Sequence, residues 1–439
     1  MSLDLLFLEL FNYFQPWGSL FLDLWWLWLF IALAILTPQL WLTYARESYK
    51  KANSWMLLEF KVPREVRRNP RAMEQVFMAM HAVRNSPSNF EEKWWDGEVA
   101  LWYSCEVVSF GGEIHFYMWV PRKHRNIMEA TLYAQYPDIE IDEVEDYITR
   151  LPPTYAELST AGYQLFGNEL ALEKPDVYPI RTYTDFEEKE EEWQLDPVAA
   201  LLETLAKVKP QEHLWVQIVV RPTLSDAWRE EGERELANLK LKARTLQKVT
   251  DQGVEELLGV PSPGEVELMK AIDRNVGKPG FETFIRYIYI SPKDLYDSNF
   301  GQRAVFSAFN QYASVALNRF RNNFKVWTRA SKWFFPYVFP TKRVWARRVK
   351  IYESYRARRT YSESFTSSLL NVKAFHFGIK AERLYKYILN VEELATIFHL
   401  PTNVVLTGPL IKRVEARKVG PPAGLPIYGD GKDELPLPQ

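Results

Sequence analysis

Between Arg319 and Arg359 the chain carries thirteen Lys or Arg residues and one acid, Glu353. Fixed positive charge at this density is suited to polyanions, either nucleic-acid phosphates, which shed counterions on binding, or anionic lipid headgroups. The candidate contacts are Arg319, Arg321, Lys325, Arg329, Lys342, Arg343, Arg347, Arg348, Lys350, Arg356, Arg358 and Arg359, with Lys332 among them. Aromatic rings are interleaved: Trp327, Trp333, Phe334, Phe335, Tyr337, Phe339, Trp345, Tyr352 and Tyr355. One reading stacks these rings on the unpaired bases of single-stranded DNA. A second inserts Trp333, Phe334, Phe335, Tyr337 and Phe339 into a membrane interface, with each flanking base worth ~1 kcal/mol at an anionic surface. In a third, the rings are core, and the bases pair with acidic groups of this protein or of a partner. The sequence leaves all three open.

Signatures of catalysis are missing. A nucleotide-hydrolysing loop needs glycines upstream of a Gly-Lys pair to cradle phosphates. The two Gly-Lys pairs, Gly277-Lys278 and Gly431-Lys432, lack that upstream glycine and are followed by Pro279 and Asp433. No G-x-S-x-G context occurs. The single cysteine, Cys105, excludes a Cys-rich zinc site and an internal disulfide framework. His115 and His124 lie near Glu106 and Glu113, but without the spacing that metal ligation normally uses. The expectation is a non-enzymatic protein with no cofactor, no metal and no catalytic residue.

The charge is unevenly distributed. The chain has 439 residues, 47% hydrophobic and 25% charged, with a net charge of −2, so the basic segment is balanced by acids elsewhere. A mean hydropathy of −0.27 excludes a polytopic membrane protein, and the composition excludes wholesale disorder.

One segment is nevertheless apolar enough to leave water. Leu24 to Leu42 holds nineteen residues without a formal charge, about 28 Å of helix, with Trp25, Trp26 and Trp28 at one end and Trp41 and Tyr44 at the other. Residues 20–44 are therefore expected to form a transmembrane helix, preceded by an interfacial segment over 1–19. Residues 1–23 carry no base, whereas 45–71 carry eight against three acids. The positive-inside rule then puts the N-terminus outside and the body in the cytoplasm, in a single-pass arrangement at the inner membrane.

The body reads as α+β. Over 55–150, strand Trp55–Pro63, a helix after Pro70, two strands joined by Gly111-Gly112, a helix over Lys123–Tyr136 and strand Ile139–Ile148 give the ferredoxin-like order β-α-β-β-α-β. Residues 151–210, with six prolines and the acidic run Asp185–Asp196, read as a linker or an elaborated connection, partly helical near Pro197–Lys207. Residues 211–400 read as a second ferredoxin-like unit with helical insertions: strand Leu214–Pro222, helices after Asp226 and over Glu265–Asn275, strand Phe281–Pro292, and a helix over Gln302–Arg321. This unit contains the basic segment 319–361, and 401–439 is a proline-rich tail.

The stretches EFKVPREVRRNPRAMEQVFMAMHAV, VSFGGEIHFYMWVPRKHRNIMEATLYAQYPDIEIDEVEDY, IRYIYISPKD and LNVEELATIFHLP (Leu389–Pro401) resemble an uncharacterised group of membrane-anchored bacterial proteins, many from candidate-phyla lineages. That group is similar to the motor-free N-terminal region of conjugative ATPases of type IV secretion systems. The resemblance implies a scaffold or adaptor at a secretion- or conjugation-like machine. Its implied partners are the lipid bilayer, a separately encoded P-loop ATPase, single-stranded DNA, and further copies of itself or a larger complex. The rival reading is a membrane-surface or nucleic-acid-binding module unrelated to secretion.

Overall fold

Nine strands rich in apolar residues build one antiparallel sheet whose two faces bury different cores. The computed structural model describes residues 23–62, 68–85, 87–186, 195–250, 253–258, 261–324, 326–329, 339–358 and 387–401. The first element among the described residues is helix α1 (Trp25–Ala52), which is long and apolar enough to cross a membrane. This helix runs eight residues beyond the expected end at 44, through Arg46, Lys50 and Lys51, before β1 (Trp55–Lys61).

The first half continues with α2 (Arg71–Ala82), the short α3 (Phe90–Trp94), β2 (Tyr103–Phe110), β3 (Glu113–Pro121), α4 (Arg125–Gln135) and β4 (Glu140–Val144). Gly111 and Gly112 both have positive φ, +59° and +98°, the conformation a two-residue hairpin turn requires. These four strands lie in the order β4-β1-β3-β2.

The second half holds α5 (Tyr155–Thr160), β5 (Tyr163–Leu172), α6 (Ala199–Ala206), β6 (His213–Pro222), α7 (Ala227–Arg244), the hairpin β7 (Thr245–Thr250) and β8 (Gly253–Leu258), α8 (Pro263–Val276), β9 (Gly280–Pro292), α9 (Ser298–Phe309) and β10 (Phe320–Asn322). Its sheet strands run β10-β5-β9-β6. Pairing of β2 with β6, from Tyr103↔Val220 to Phe110↔His213, fuses the halves.

The connection expected over 151–210 carries more structure than expected: α6 lies where a helix was expected near Pro197–Lys207, but α5 and β5 were not expected. Its prolines punctuate these elements instead of extending a spacer: Pro152 and Pro153 precede α5, Pro175 follows β5, Pro197 precedes α6 and Pro210 precedes β6. The helix expected over Gln302–Arg321 also differs, ending at Phe309. Tyr312 and Phe320 then join Val305 and Phe309 in the core from a turn and a strand. Asn318 holds that turn by accepting from the Lys174 amide (2.9 Å) and donating to the Tyr178 carbonyl (2.9 Å).

The final elements are α10 (Pro340–Arg356), β11 (Tyr387–Asn390) and α11 (Val391–Ile397). Strand β11 pairs with Gly280–Thr283 of β9, on the side that β5 leaves at Ile285. One face of the sheet is buried under α2, α4, α6, α9 and α11. The other carries α5, α10 and the end of α1. The interfacial segment 1–19, most of the acidic run and the tail 402–439 lie outside the described residues.

Candidate functional site

Helix α10 carries most of the expected contact residues that are described. Pro340 opens it, with Phe339 ahead of it in the left-handed region. Ile351, Tyr352 and Tyr355 are buried against Trp215 and Ile288, which turns the opposite side outward. Gly167 of β5 permits this packing: a Cβ there would stand 2.9 Å from the Ile351 Cδ1 atom.

Several bases of the segment are engaged internally. Arg356 Nη1 donates to the carbonyls of Ile148 (2.7 Å) and Leu151 (3.3 Å). Arg347 Nη1 donates to the Trp327 carbonyl at 2.8 Å, and burial lowers its guanidinium pKa, with Arg343 adding to the shift. Arg348 Nη1 donates to the Tyr155 hydroxyl at 3.3 Å. Arg319 pairs with Glu173, Arg321 donates to the Leu172 carbonyl and Arg329 to the Gln302 side chain. All six make hydrogen bonds or ion pairs within their own chain, but Arg347, Arg348 and Arg356 are half-buried whereas Arg319, Arg321 and Arg329 stay exposed. For the half-buried three, the carbonyls and hydroxyl they meet replace the water lost on burial.

Arg358 is the extreme case. It lies just past the end of α10 with φ +47°, and its side chain is almost fully buried. Its guanidinium donates to both carboxylate oxygens of Glu106 (2.8 and 3.1 Å) and both of Asp146 (2.6 and 3.1 Å). Burial alone would lower its pKa, but the two carboxylates hold it well above the usual range. Glu106 also accepts from Ser104 (2.6 Å), Gln217 (2.9 Å) and the Tyr147 hydroxyl (2.8 Å), and Tyr147 meets Tyr355 at 2.8 Å. Burial pushes both tyrosines well above their ordinary values. Every Glu106 oxygen is therefore occupied, and the cluster acts as a lock between α10 and the sheet. It also corrects Arg358 as a contact residue.

Lys342, Trp345 and Lys350 remain exposed on α10, with Arg343 half-buried beside them. Phe339 is exposed under the Lys342 ammonium, 5.1 Å from its ring. Lys325, Trp333, Phe334, Phe335, Tyr337 and Arg359 lie outside the described residues, as does Lys332.

The end of α1 reaches the same sheet face. Trp215 under α10 and Val219 four residues along β6 share that face by strand alternation, as do Ile288 and Phe284 of β9. Val219 and Phe284 support Trp102, whose ring stands 5.8 Å beneath Lys50 of α1. Trp102 leads to Trp55 (5.0 Å), which is stacked on Trp119 (4.9 Å), and Trp119 lies 5.2 Å from Arg358. Three indoles thus connect the last turns of α1 to the end of the basic helix. Sequence inspection missed this because the three tryptophans lie far apart in the chain.

The LNVEELATIFHLP motif is structural among the described residues. Asn390 caps α11 in a reciprocal capping box with Glu393. Glu392 accepts from Lys278 Nζ (2.7 Å), Arg274 Nε (2.9 Å) and Thr182 Oγ1 (2.7 Å). His399 contacts the Ala395 carbonyl (2.8 Å) and Asp196 (2.9 Å). Lys278, half of one Gly-Lys pair, is occupied by Glu74 (2.6 Å) and Glu392, and Gly277 sits at a helix C-terminus, where carbonyls repel phosphate.

Elsewhere, His115 contacts Glu59 at 2.7 Å and His124 contacts the Tyr103 hydroxyl at 2.8 Å, each within a local pair. Among the described residues no group of three or more His, Cys, Asp or Glu could hold a metal ion. A groove of about 1060 Å³ beside α1 is lined by Arg46, Arg221 and Arg321 but also by Glu230, Glu231 and Glu282, so it selects no single charge.

No curated protein matches the sequence. Residues 39–410, from within α1 to beyond α11, match a family described as a domain of unknown function (DUF8128), and the chain belongs to that family.

Proposed function

We propose that the protein is a non-enzymatic, single-pass scaffold of the bacterial inner membrane, with its N-terminus outside and its α+β body in the cytoplasm. In this reading the body serves a type IV secretion- or conjugation-like machine by docking a separately encoded P-loop ATPase. Each half of the sheet, with its order 4-1-3-2, is a ferredoxin-like unit, and α7, the β7–β8 hairpin and α8 are the insertion in the second. One observation carries the reading: the membrane helix continues into the body and ends against the sheet face that bears α10. A scaffold needs that continuity, because a body on a loose tether would not hold a fixed attitude to the bilayer.

The asymmetry of basic residues around α1 supports the orientation, and the four resembling stretches support the link to secretion. The test is affinity purification of the detergent-solubilised full-length protein from its native host. A P-loop ATPase in stoichiometric amount is expected, and repeated recovery without one rejects the secretion reading. Thiol labelling from outside intact cells tests the orientation: a cysteine at residue 315 is expected to stay unlabelled.

The membrane-surface alternative keeps one specific support. Lys342, Trp345 and Lys350 sit on the sheet face that the anchor reaches, near anionic headgroups. The nucleic-acid reading is weaker, because most of the described arginines it relied on are engaged internally.

A further inference from the structure

The short helix α3 and the turn after it are an unusual surface. Phe90 is 69% exposed and Trp95 63% exposed, although both are large apolar rings. They lie beside two more exposed rings on α1, Trp41 at 40% and Tyr44 at 66%. Trp41 Nε1 donates to the Trp94 carbonyl at 2.7 Å, the Trp41 and Trp95 rings meet edge to face at 5.3 Å, and Phe90 stacks on Trp94 at 5.8 Å. The turn is pressed onto the anchor: Gly97 has φ +66°, and a Cβ there would lie 2.3 Å from the Ala45 carbonyl carbon. Leu42 and Ala45 are buried by this contact, unlike the apolar residues Trp25, Phe30 and Leu33 nearer the start of α1.

The level of this contact along α1 is informative. Sixteen residues separate Trp25 from Trp41, about 24 Å of helix, so the two rings bracket the apolar stretch. Trp41 then stands where hydrocarbon gives way to headgroups, the depth that amphipathic rings prefer. A rigid attachment to Trp41 and Ala45 carries Phe90, Trp94 and Trp95 to the same level. Glu92 is turned back and accepts from the Ser88 amide (2.6 Å) and hydroxyl (2.9 Å), while Glu91, Lys93 and Asp96 are exposed beside the rings, charges that headgroup depth admits and hydrocarbon does not.

We infer that α3 with Trp95 is a second membrane contact, an aromatic shelf seated in the headgroup region of the inner leaflet beside the anchor. The occupant is the bilayer itself. This rests on the reading of α1 as a membrane span and adds a second point of contact, which fixes the tilt and rotation of the body. A lone helix cannot do that.

The test uses the full-length protein in nanodiscs of phosphatidylcholine and phosphatidylglycerol. Single cysteines replace Trp95 or Phe90, each nitroxide-labelled, with Leu33→Cys as the reference within the span and Val315→Cys, at a position 97% exposed, as the aqueous reference. Cys105 is buried and its thiol pKa is pushed up by burial, so labels attach to the introduced thiol. At residues 90 and 95 the ratio of molecular-oxygen to nickel-chelate collisions is expected to be several-fold above that at 315 and to approach that at 33. Values at 90 and 95 equal to those at 315, with 33 lipid-embedded, overturn the shelf and leave the anchor standing. A ratio at 33 equal to that at 315 removes the anchor and the shelf together. Protection of 90 and 95 from both reagents assigns the rings to a protein contact and also overturns the shelf.

Discussion

The Arg358 guanidinium donates to Glu106 at 2.8 Å across 252 residues of chain, deep beneath the end of α10. The pair belongs to a network in which Arg358, Ser104, Gln217 and Tyr147 leave no carboxylate oxygen of Glu106 unused, while Asp146 shares the guanidinium and Tyr355 meets Tyr147. Such a cluster adds little net stability compared with well-packed apolar groups, but it punishes the loss of one member.

Arg358→Met leaves Glu106 buried without its cation and is expected to lower stability by about 3–5 kcal/mol. The double variant Arg358→Met with Glu106→Gln should recover part of the loss. Chemical denaturation of the four proteins of this cycle in detergent measures the coupling, and additive effects would contradict the lock.

His124 is held neutral by burial, with Lys123 adding to the shift, and its pKa falls to about 4. The unfolded chain takes up the proton near the ordinary value of about 6.5, so stability is intact at pH 7 and declines as the pH falls from about 6.5 to about 4. His81 is lowered to about 4 in the same way, by burial and then Arg84. His124→Gln should flatten the decline over that window. Melting temperatures recorded from pH 7 to pH 4 check it, and an unchanged slope rejects the assignment.

Gly97→Ala puts a methyl group into the Ala45 backbone and demands positive φ of a residue that resists it. The expected result is a loosened anchor with an otherwise intact body. Limited proteolysis in nanodiscs should show faster cleavage near residue 53, with the cooperative melt of the body little changed.

Charge reversal on α10 separates binding from folding. Lys342→Glu with Lys350→Glu should weaken co-sedimentation with anionic vesicles by about 1 kcal/mol per base removed, an effect that rising salt erases. Arg347→Glu with Arg348→Glu should instead destabilise the protein, because these side chains hold the Trp327 carbonyl and the Tyr155 hydroxyl. Thermal melts beside vesicle pelting assays — sedimentation at fixed lipid concentration — distinguish the two outcomes.

Much of the architecture was readable from the chain. The long apolar helix from Trp25, the Gly111-Gly112 hairpin, strands β1, β6 and β9, and helices α2, α4 and α8 all follow from composition, periodicity and turn chemistry. The failures have a common origin in long-range contact. Strand β5 was hidden because prolines at its margins look the same in a linker and in a tightly punctuated connection. Lys342 and Arg358 look equivalent in sequence, yet one lies in solvent and the other under the sheet, because only the fold brings Glu106 and Asp146 to Arg358. The rings of α3 escaped notice because five residues carry too short a pattern for a period to register.

Strand β11 has a consequence for biosynthesis. It fills the last place on β9 from about a hundred residues downstream, whereas α1 emerges from the ribosome first. At about 5–20 residues per second, the rest of the sheet is out for several seconds before Tyr387 is even made. The growing sheet therefore waits one strand short, with Gly280–Thr283 uncovered on one side. A chaperone would meet its greatest demand in that interval, and truncation before residue 387 would leave the vacancy permanent.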